Sequence, residues 1–442
     1  MGILLKNTKK VNEGLIEEVD VLIEEEFIKK ISSSISAKNH KVIDLEGKYL
    51  LPGVIDDQVH FREPGLTHKA TIYSESRSAV AGGITSFMEM PNTYPPVLTQ
   101  KLLQDKFDIG LKDSLANFSF FMGVSNDNIN EVLKTDFSKV PGLKIFMGSS
   151  TGNMLVDNFS VLNNIFSNAE GLIAVHCEDE ETIKLNIKKV KQKYGDNVPM
   201  FEHPNIRSRE ACFKSSSLAV DLANKYSSRL HVLHISTAQE LKLFENTIAL
   251  KDKKITSEVC IHHLSFTNRD YQEKGAFIKW NPAVKSIEDQ DALWEGLLNN
   301  KLDIIATDHA PHTVEEKNNL YFSCPSGAPM VQHALPMMLQ HYVNNKISIE
   351  QIVEKMCHAP AICFNIEKRG YIKEGYYADL VVIEKQAWQV NKENILYACK
   401  WSPLEQKKLD YKIYQTFVNG NLVYNNGMIK NIKNGKILSF NH

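Results

Sequence analysis

A (β/α)8 barrel of the α/β class, joined to a small sheet built from both chain ends, is the architecture this sequence predicts. Three observations lead there: strand-like pieces at the two ends, eight short apolar runs between them, and helix-length connections separating the runs. At 442 residues the chain is long enough for one large domain and a smaller one.

In chain order, Val19–Ile23 and Phe27–Ile31 alternate like strands, with Gly14 and Gly47 as punctuation. Apolar runs follow at Gly53–Ile55, Ile84–Met90, Phe118–Val124, Leu143–Met147, Leu172–Val175, Leu230–Ile235, Ile255–Ile261 and Leu302–Ala306, most of them the length of a strand buried on both faces. Tyr73–Ala81 and Ser208–Tyr226 read as connecting helices. Strands return at Asp379–Ile383 and Thr416–Val418, and the turn Asn419-Gly420-Asn421 leads into Leu422–Tyr424 as a hairpin. The expected division is 1–52 and 366–442 for the two parts of the terminal sheet and 53–365 for the barrel. Periodicity alone leaves a doubly wound open sheet as the alternative.

Lys and Arg total 51 against 53 Asp and Glu, so no basic field exists to hold nucleic acid or an anionic membrane surface. Met1–Lys9 is not followed by an apolar signal core, and no apolar run approaches a bilayer span, which predicts a cytoplasmic protein. Seven cysteines stand at 177, 212, 260, 324, 357, 363 and 399 without close pairs, and read as reduced, buried, small hydrophobes.

In such a barrel, chemistry sits beyond the carboxyl ends of the strands. The first run closes in Asp56-Asp57-Gln58-Val59-His60-Phe61-Arg62, the fifth in His176 and the eighth in Asp308-His309, while His234 stands near the end of the sixth. Histidines and a carboxylate at one rim are what a zinc site requires. A lone histidine such as His234, sharing its run with His231, is also common as a hydrogen-bonded core residue. Lys144 inside the fourth run needs an acidic partner, a snorkelling stem or chemical modification, because a buried ammonium is costly.

The segments Val59-His60-Phe61-Arg62-Glu63-Pro64-Gly65, Met90-Pro91-Asn92-Thr93, Val175-His176-Cys177-Glu178, Leu233-His234-Ile235-Ser236 and Thr307-Asp308-His309-Ala310-Pro311-His312 resemble, in order, the amidohydrolase superfamily and within it the dihydroorotases. The resemblance implies a TIM barrel with a β-sandwich made from both termini. It also implies reversible zinc-dependent hydrolysis of dihydroorotate to N-carbamoyl-L-aspartate, in de novo pyrimidine (UMP) biosynthesis. Lys144 would be N6-carboxylated and hold one ion with His176 and His234, while the His-x-His motif and Asp308 hold the other. Asp308 would be the acid/base residue. Arg62, Asn92, Asn281, His312 and the backbone around Ala328 would contact a small-molecule substrate.

The sequence departs from the pattern at Gln58, which replaces the first histidine of His-x-His, and at Ala283 and Lys285, where a proline and an arginine are usual. One tight zinc is therefore expected, with a second weaker or absent. The polar stretch 313–327 reads as a substrate-covering lid or a surface loop. Rival readings are allantoinase, dihydropyrimidinase or hydantoinase, and a non-catalytic assembly subunit, the last kept open by Gln58. A homodimer is compatible with the sequence.

Overall fold

The computed structural model describes residues 2–148 and 154–441. Its centre is a ring of eight strands: β1 (Val54–Val59), β2 (Ile84–Glu89), β3 (Asn117–Phe120, resuming at Met122–Gly123), β4 (Leu143–Phe146), β5 (Ile173–His176), β6 (Leu230–Val232), β7 (Ile255–Cys260) and β8 (Ile304–Ala306). All pair in parallel with their sequence neighbours. The two edges then meet: Val59 bridges His309 in parallel, and the His60 amide donates to the His309 carbonyl at 2.7 Å. That closure separates a barrel from the open sheet that the apolar runs alone allowed.

Nearly every residue of these strands is buried, which is why most of them read as mainly apolar runs and not as alternating patterns. The connecting helices Ile72–Ala81 and Arg209–Tyr226 start where Thr71 and Ser208 accept hydrogen bonds from Ser74 N and Ala211 N.

Both chain ends form one nine-stranded sheet. Tyr49–Pro52 joins the ends, pairing in parallel with Ile3–Asn12 and antiparallel with Leu380–Gln389. Side chains of period two divide between its faces. Leu50, Leu380 and Val382 pack with Leu5, Val21 and Phe417 in a separate apolar layer, whereas Leu51, Val381 and Ile383 join the main core beside the barrel. Ile3–Asn12 is a strand absent from the sequence reading. Its middle, Lys6-Asn7-Thr8-Lys9-Lys10, is polar, and a register shift between Leu5 and Thr8, with Asn7 at φ 55°, breaks the alternation. The C-terminal hairpin turns through Asn419 (φ 46°) and Gly420 (φ 75°), where a Cβ on Gly420 would lie 2.0 Å from the Glu25 carbonyl oxygen. All seven cysteines are free and buried. No helix among the described residues is long and apolar enough to cross a membrane.

Candidate active site

The strand ends converge on a cavity of about 270 Å3. Gln58, His60, Arg62, Asn92, Lys144, His176, His234, Asn281, Asp308 and His312 all line it, brought together from seven of the eight strand ends or the loops beyond them. Ala328 is the exception. Its carbonyl is taken by the Ala310 amide at 3.0 Å, and the cavity wall is made by its neighbours Ser326 and Gly327.

Beyond β1, the His60 Nδ1–H donates to Asn92 Oδ1 at 2.7 Å, which leaves the Nε2 lone pair facing Asp308 Oδ1 at 3.1 Å. Burial holds the His60 pKa down, so the ring is neutral and two electron-pair donors face each other. That arrangement fits a shared cation. Gln58 takes another part here. Its Nε2 donates to Asp308 Oδ1 at 3.3 Å while Oε1 accepts the Cys260 thiol at 3.6 Å, so the side chain presents a donor to Asp308.

Across the cavity His176 Nδ1 lies 2.9 Å from His234 Nε2. His176 Nε2 is 3.1 Å from Glu178, a buried carboxylate that also pairs with Arg207 and is held at a pKa of about 2 against its burial. A histidine with a carboxylate behind one ring nitrogen and the other nitrogen turned to a second histidine is arranged as metal ligands are. Lys144 stands beside them, 1% exposed; among the described residues its partners are the Ile145 carbonyl at 3.3 Å and the Phe146 ring at 4.1 Å, with no ion pair. Desolvation lowers its pKa to about 7, so a neutral amine is accessible near neutrality.

The opposite end of the cavity is cationic. Arg62 is 5% exposed, donates from Nε to the Pro311 carbonyl at 3.0 Å and lies 3.0 Å from His312 Nε2. It pairs with neither Glu63, which accepts from the Ile72 amide, nor Asp57, which faces His231. The loop behind it is stapled: Lys317 donates to the Pro325 and Gly327 carbonyls at 2.9 and 2.8 Å, and Lys279 to those of Tyr321 and Cys324. Arg62, His234 and Asp308 all adopt positive φ, at 71°, 42° and 45°. Such backbone costs on the order of 1–3 kcal/mol per residue and concentrates where side-chain aim matters.

Sequence reasoning passed over several supports. The His234 amide donates to Glu258 at 3.1 Å, and the Phe61 amide to Glu89 at 2.8 Å, with Lys106 paired to Glu89. Each of these acids stands inside or directly after an apolar run, so the buried-charge argument used for Lys144 was available for them.

Residues 165–423 match the model of the amidohydrolase family, and residues 47–139 match a dihydro-orotase-like model. A dihydroorotase of Methanosphaera stadtmanae is 32% identical over 426 residues, covering 96% of each chain, and one of Carboxydothermus hydrogenoformans is 33% identical over 430 residues, covering 96% of this chain and 98% of that protein. Among solved structures, the L-hydantoinase (dihydropyrimidinase) of Arthrobacter aurescens superimposes with a TM-score of 0.93 at 27% identity, covering 99% of both chains. A dihydropyrimidinase of Brevibacillus agri shares the fold, with a TM-score of 0.89 at 22% identity. With a family model matching over half its length and relatives of this identity across nearly all of it, the chain belongs to the amidohydrolase family, in its dihydroorotase-like branch.

Proposed function

We propose that the chain is a zinc-dependent dihydroorotase of pyrimidine biosynthesis, hydrolysing the ring amide of (S)-dihydroorotate reversibly to N-carbamoyl-L-aspartate in the cytoplasm. One observation carries the choice of substrate: among the described residues Arg62, buried in the cavity, has no carboxylate in ion-pair contact, and it stands opposite the His60–Asp308 and His176–His234 pairs. An unneutralised buried guanidinium calls for an anionic ligand. Dihydroorotate carries a carboxylate; hydantoin and dihydrouracil do not.

In this reading His176 and His234 would hold a zinc ion together with Lys144, whose neutral amine would add CO2 and release a proton to solvent, leaving an anionic carbamate ligand. His60 and Asp308 hold a second ion more weakly, since Gln58 turns its amide nitrogen inward. When bound, zinc supplies Lewis acidity and lowers the pKa of water. Asp308 takes the proton from the attacking water and delivers it to the ring nitrogen as the carbon–nitrogen bond breaks. Arg62 and His312 grip the substrate carboxylate. Asn92 is held by His60 through its oxygen, which leaves its amide N–H groups for substrate. Asn281, whose Oδ1 is buried without a partner among the described residues, and the backbone at Ser326–Gly327 contact the ring.

Hydantoinase or dihydropyrimidinase activity is the second reading, favoured by the TM-score of 0.93 to the Arthrobacter enzyme. Absorbance assays of the purified protein with dihydroorotate, hydantoin, dihydrouracil and allantoin separate the two. Turnover of dihydroorotate is expected; activity on another ring with none on dihydroorotate overturns the proposal, and silence on all four favours an assembly subunit.

A further inference from the structure

Among the described residues, two further groups of side chains that could hold a metal ion lie buried, and they differ in how their electron pairs are satisfied. In the first, His231 Nε2 lies 3.2 Å from Glu258 and 3.3 Å from Asp57, its Nδ1 lies 2.8 Å from Thr256 Oγ1, and the flanking carboxylates push its pKa up to about 9. A proton already fills the place of a cation there.

The second group is Cys260, His262 and His263, at the end of β7 and just beyond it. Their donor atoms lie within 4.8 Å of one another, and the three side chains are 0%, 0% and 2% exposed. Here nothing neutralises the lone pairs. Among the described residues neither nitrogen of His262 has a well-aligned hydrogen-bond partner; the Thr307 carbonyl is the polar group facing the ring, and it can hold at most one of the two nitrogens. His263 donates from Nε2 to the Pro282 carbonyl at 3.2 Å, which leaves Nδ1 as a bare lone pair, also without a partner. Burial keeps both imidazoles neutral, the form that binds metals. The His262 ring is fixed by stacking on Trp280, with centroids 4.0 Å apart and planes at 1°. Buried polar atoms are almost always partnered, and two imidazoles with unpartnered lone pairs beside one thiol are an exception that needs a cause.

We propose that Cys260, His262 and His263 form a metal site of their own, taking a divalent ion of the zinc type through one thiolate and two imidazole nitrogens. A sulfur with two nitrogens matches the donor set zinc prefers. Binding converts the thiol and the ion into a metal thiolate and a proton, which passes to solvent, and this overcomes the thiol's raised pKa. The site backs onto the cavity through Gln58, whose Oε1 accepts the Cys260 thiol while its Nε2 reaches Asp308. Loss of the thiol proton therefore frees the Gln58 oxygen. The inference stands apart from the substrate assignment, because no ligand proposed for the catalytic cavity is a sulfur.

Cobalt tests it directly. The full chain loaded with Co2+ should show a near-ultraviolet thiolate-to-cobalt charge-transfer band, which nitrogen and oxygen ligands do not give. Cys260→Ser should lose the band and one equivalent of metal, while Cys357→Ser, whose native thiol donates to the Pro52 carbonyl elsewhere, keeps both. His262→Phe preserves a ring for Trp280 and should weaken the metal giving the band at least about tenfold. No band in the wild-type protein, a band surviving in Cys260→Ser, or unchanged affinity in His262→Phe would each overturn the proposal. The wild-type spectrum decides even if a variant fails to fold.

Discussion

Glu89 and Lys106 are both fully buried, 3.0 Å apart, and together they hold two segments of the rim. Glu89 accepts from the Phe61 amide at 2.8 Å, and Lys106 donates to the Met90 carbonyl at 3.1 Å, beside His60, Arg62 and Asn92. Lys106→Met strands the carboxylate. Removing one partner of a buried pair costs about 3–5 kcal/mol. An unfolding entropy of about 2.1 cal/mol/K per residue over 442 residues gives about 0.9 kcal/mol/K, so the melting temperature should fall by about 3–5 °C. Burial already raises the Glu89 pKa above its ordinary value with Lys106 as its leading counterweight, and the variant raises it further. A carboxyl whose folded pKa exceeds its unfolded value of about 4.3 costs nothing below that pH. Between the unfolded and the folded pKa the cost grows by about 1.4 kcal/mol for each unit of pH. Melts followed by circular dichroism should therefore show a larger deficit at pH 8 than at pH 5. Adding Glu89→Gln keeps an acceptor for Phe61 and removes the charge; more than half of the loss should return and the pH dependence should flatten. A single variant within 1 °C of wild type at pH 8, or a double variant no better than the single, would show that the pair does not hold the rim.

Asp308→Asn should lower turnover by about 10²–10⁴-fold while at least one metal equivalent stays bound, measured by steady-state kinetics and elemental analysis; a near-native rate removes Asp308 from the proton relay. Arg62→Gln deletes a charged hydrogen bond of about 1.5–3 kcal/mol, so KM for dihydroorotate should rise about 10–100-fold, and an unchanged KM would contradict the carboxylate assignment. Glu178→Gln loosens the hold on His176 and should weaken metal affinity about 10–100-fold in chelator competition. Affinity equal to wild type would show that His176 needs no such support. Gln58→His offers Asp308 and His60 a third metal-binding neighbour, and should tighten binding of the weaker cavity ion by more than about tenfold in zinc titration, the reverse of what a purely structural Gln58 predicts.

The barrel was legible because its strands are buried on both faces, so all eight showed as apolar runs at the right places. The strand Ile3–Asn12 was not, since its middle, Lys6-Asn7-Thr8-Lys9-Lys10, is polar and a bulge at Asn7 breaks the period from which strands are read. Within the site, ligand types and their order could be read from the rim motifs, but electron-pair direction could not. Gln58 looked like a poor ligand by residue type alone. The structure adds that its nitrogen and not its oxygen faces Asp308, an orientation that depends on Cys260, 202 residues away in the chain. Ala328 shows the same limit: a backbone carbonyl is free for substrate only if no strand takes it, and Ala310 takes this one. Burial adds a second quantity that motifs do not carry. Lys144, Lys279 and Lys317 are all buried lysines, yet Lys279 and Lys317 each hold two carbonyls of one loop, while among the described residues Lys144 has one carbonyl, at 3.3 Å, besides the Phe146 ring. Of these three, the lysine with the fewest hydrogen bonds among the described residues is the one standing in the cavity, beside two histidines whose nitrogens already face each other, so the lack of satisfaction that would count against Lys144 as a structural residue is what suits it to accept a covalent change.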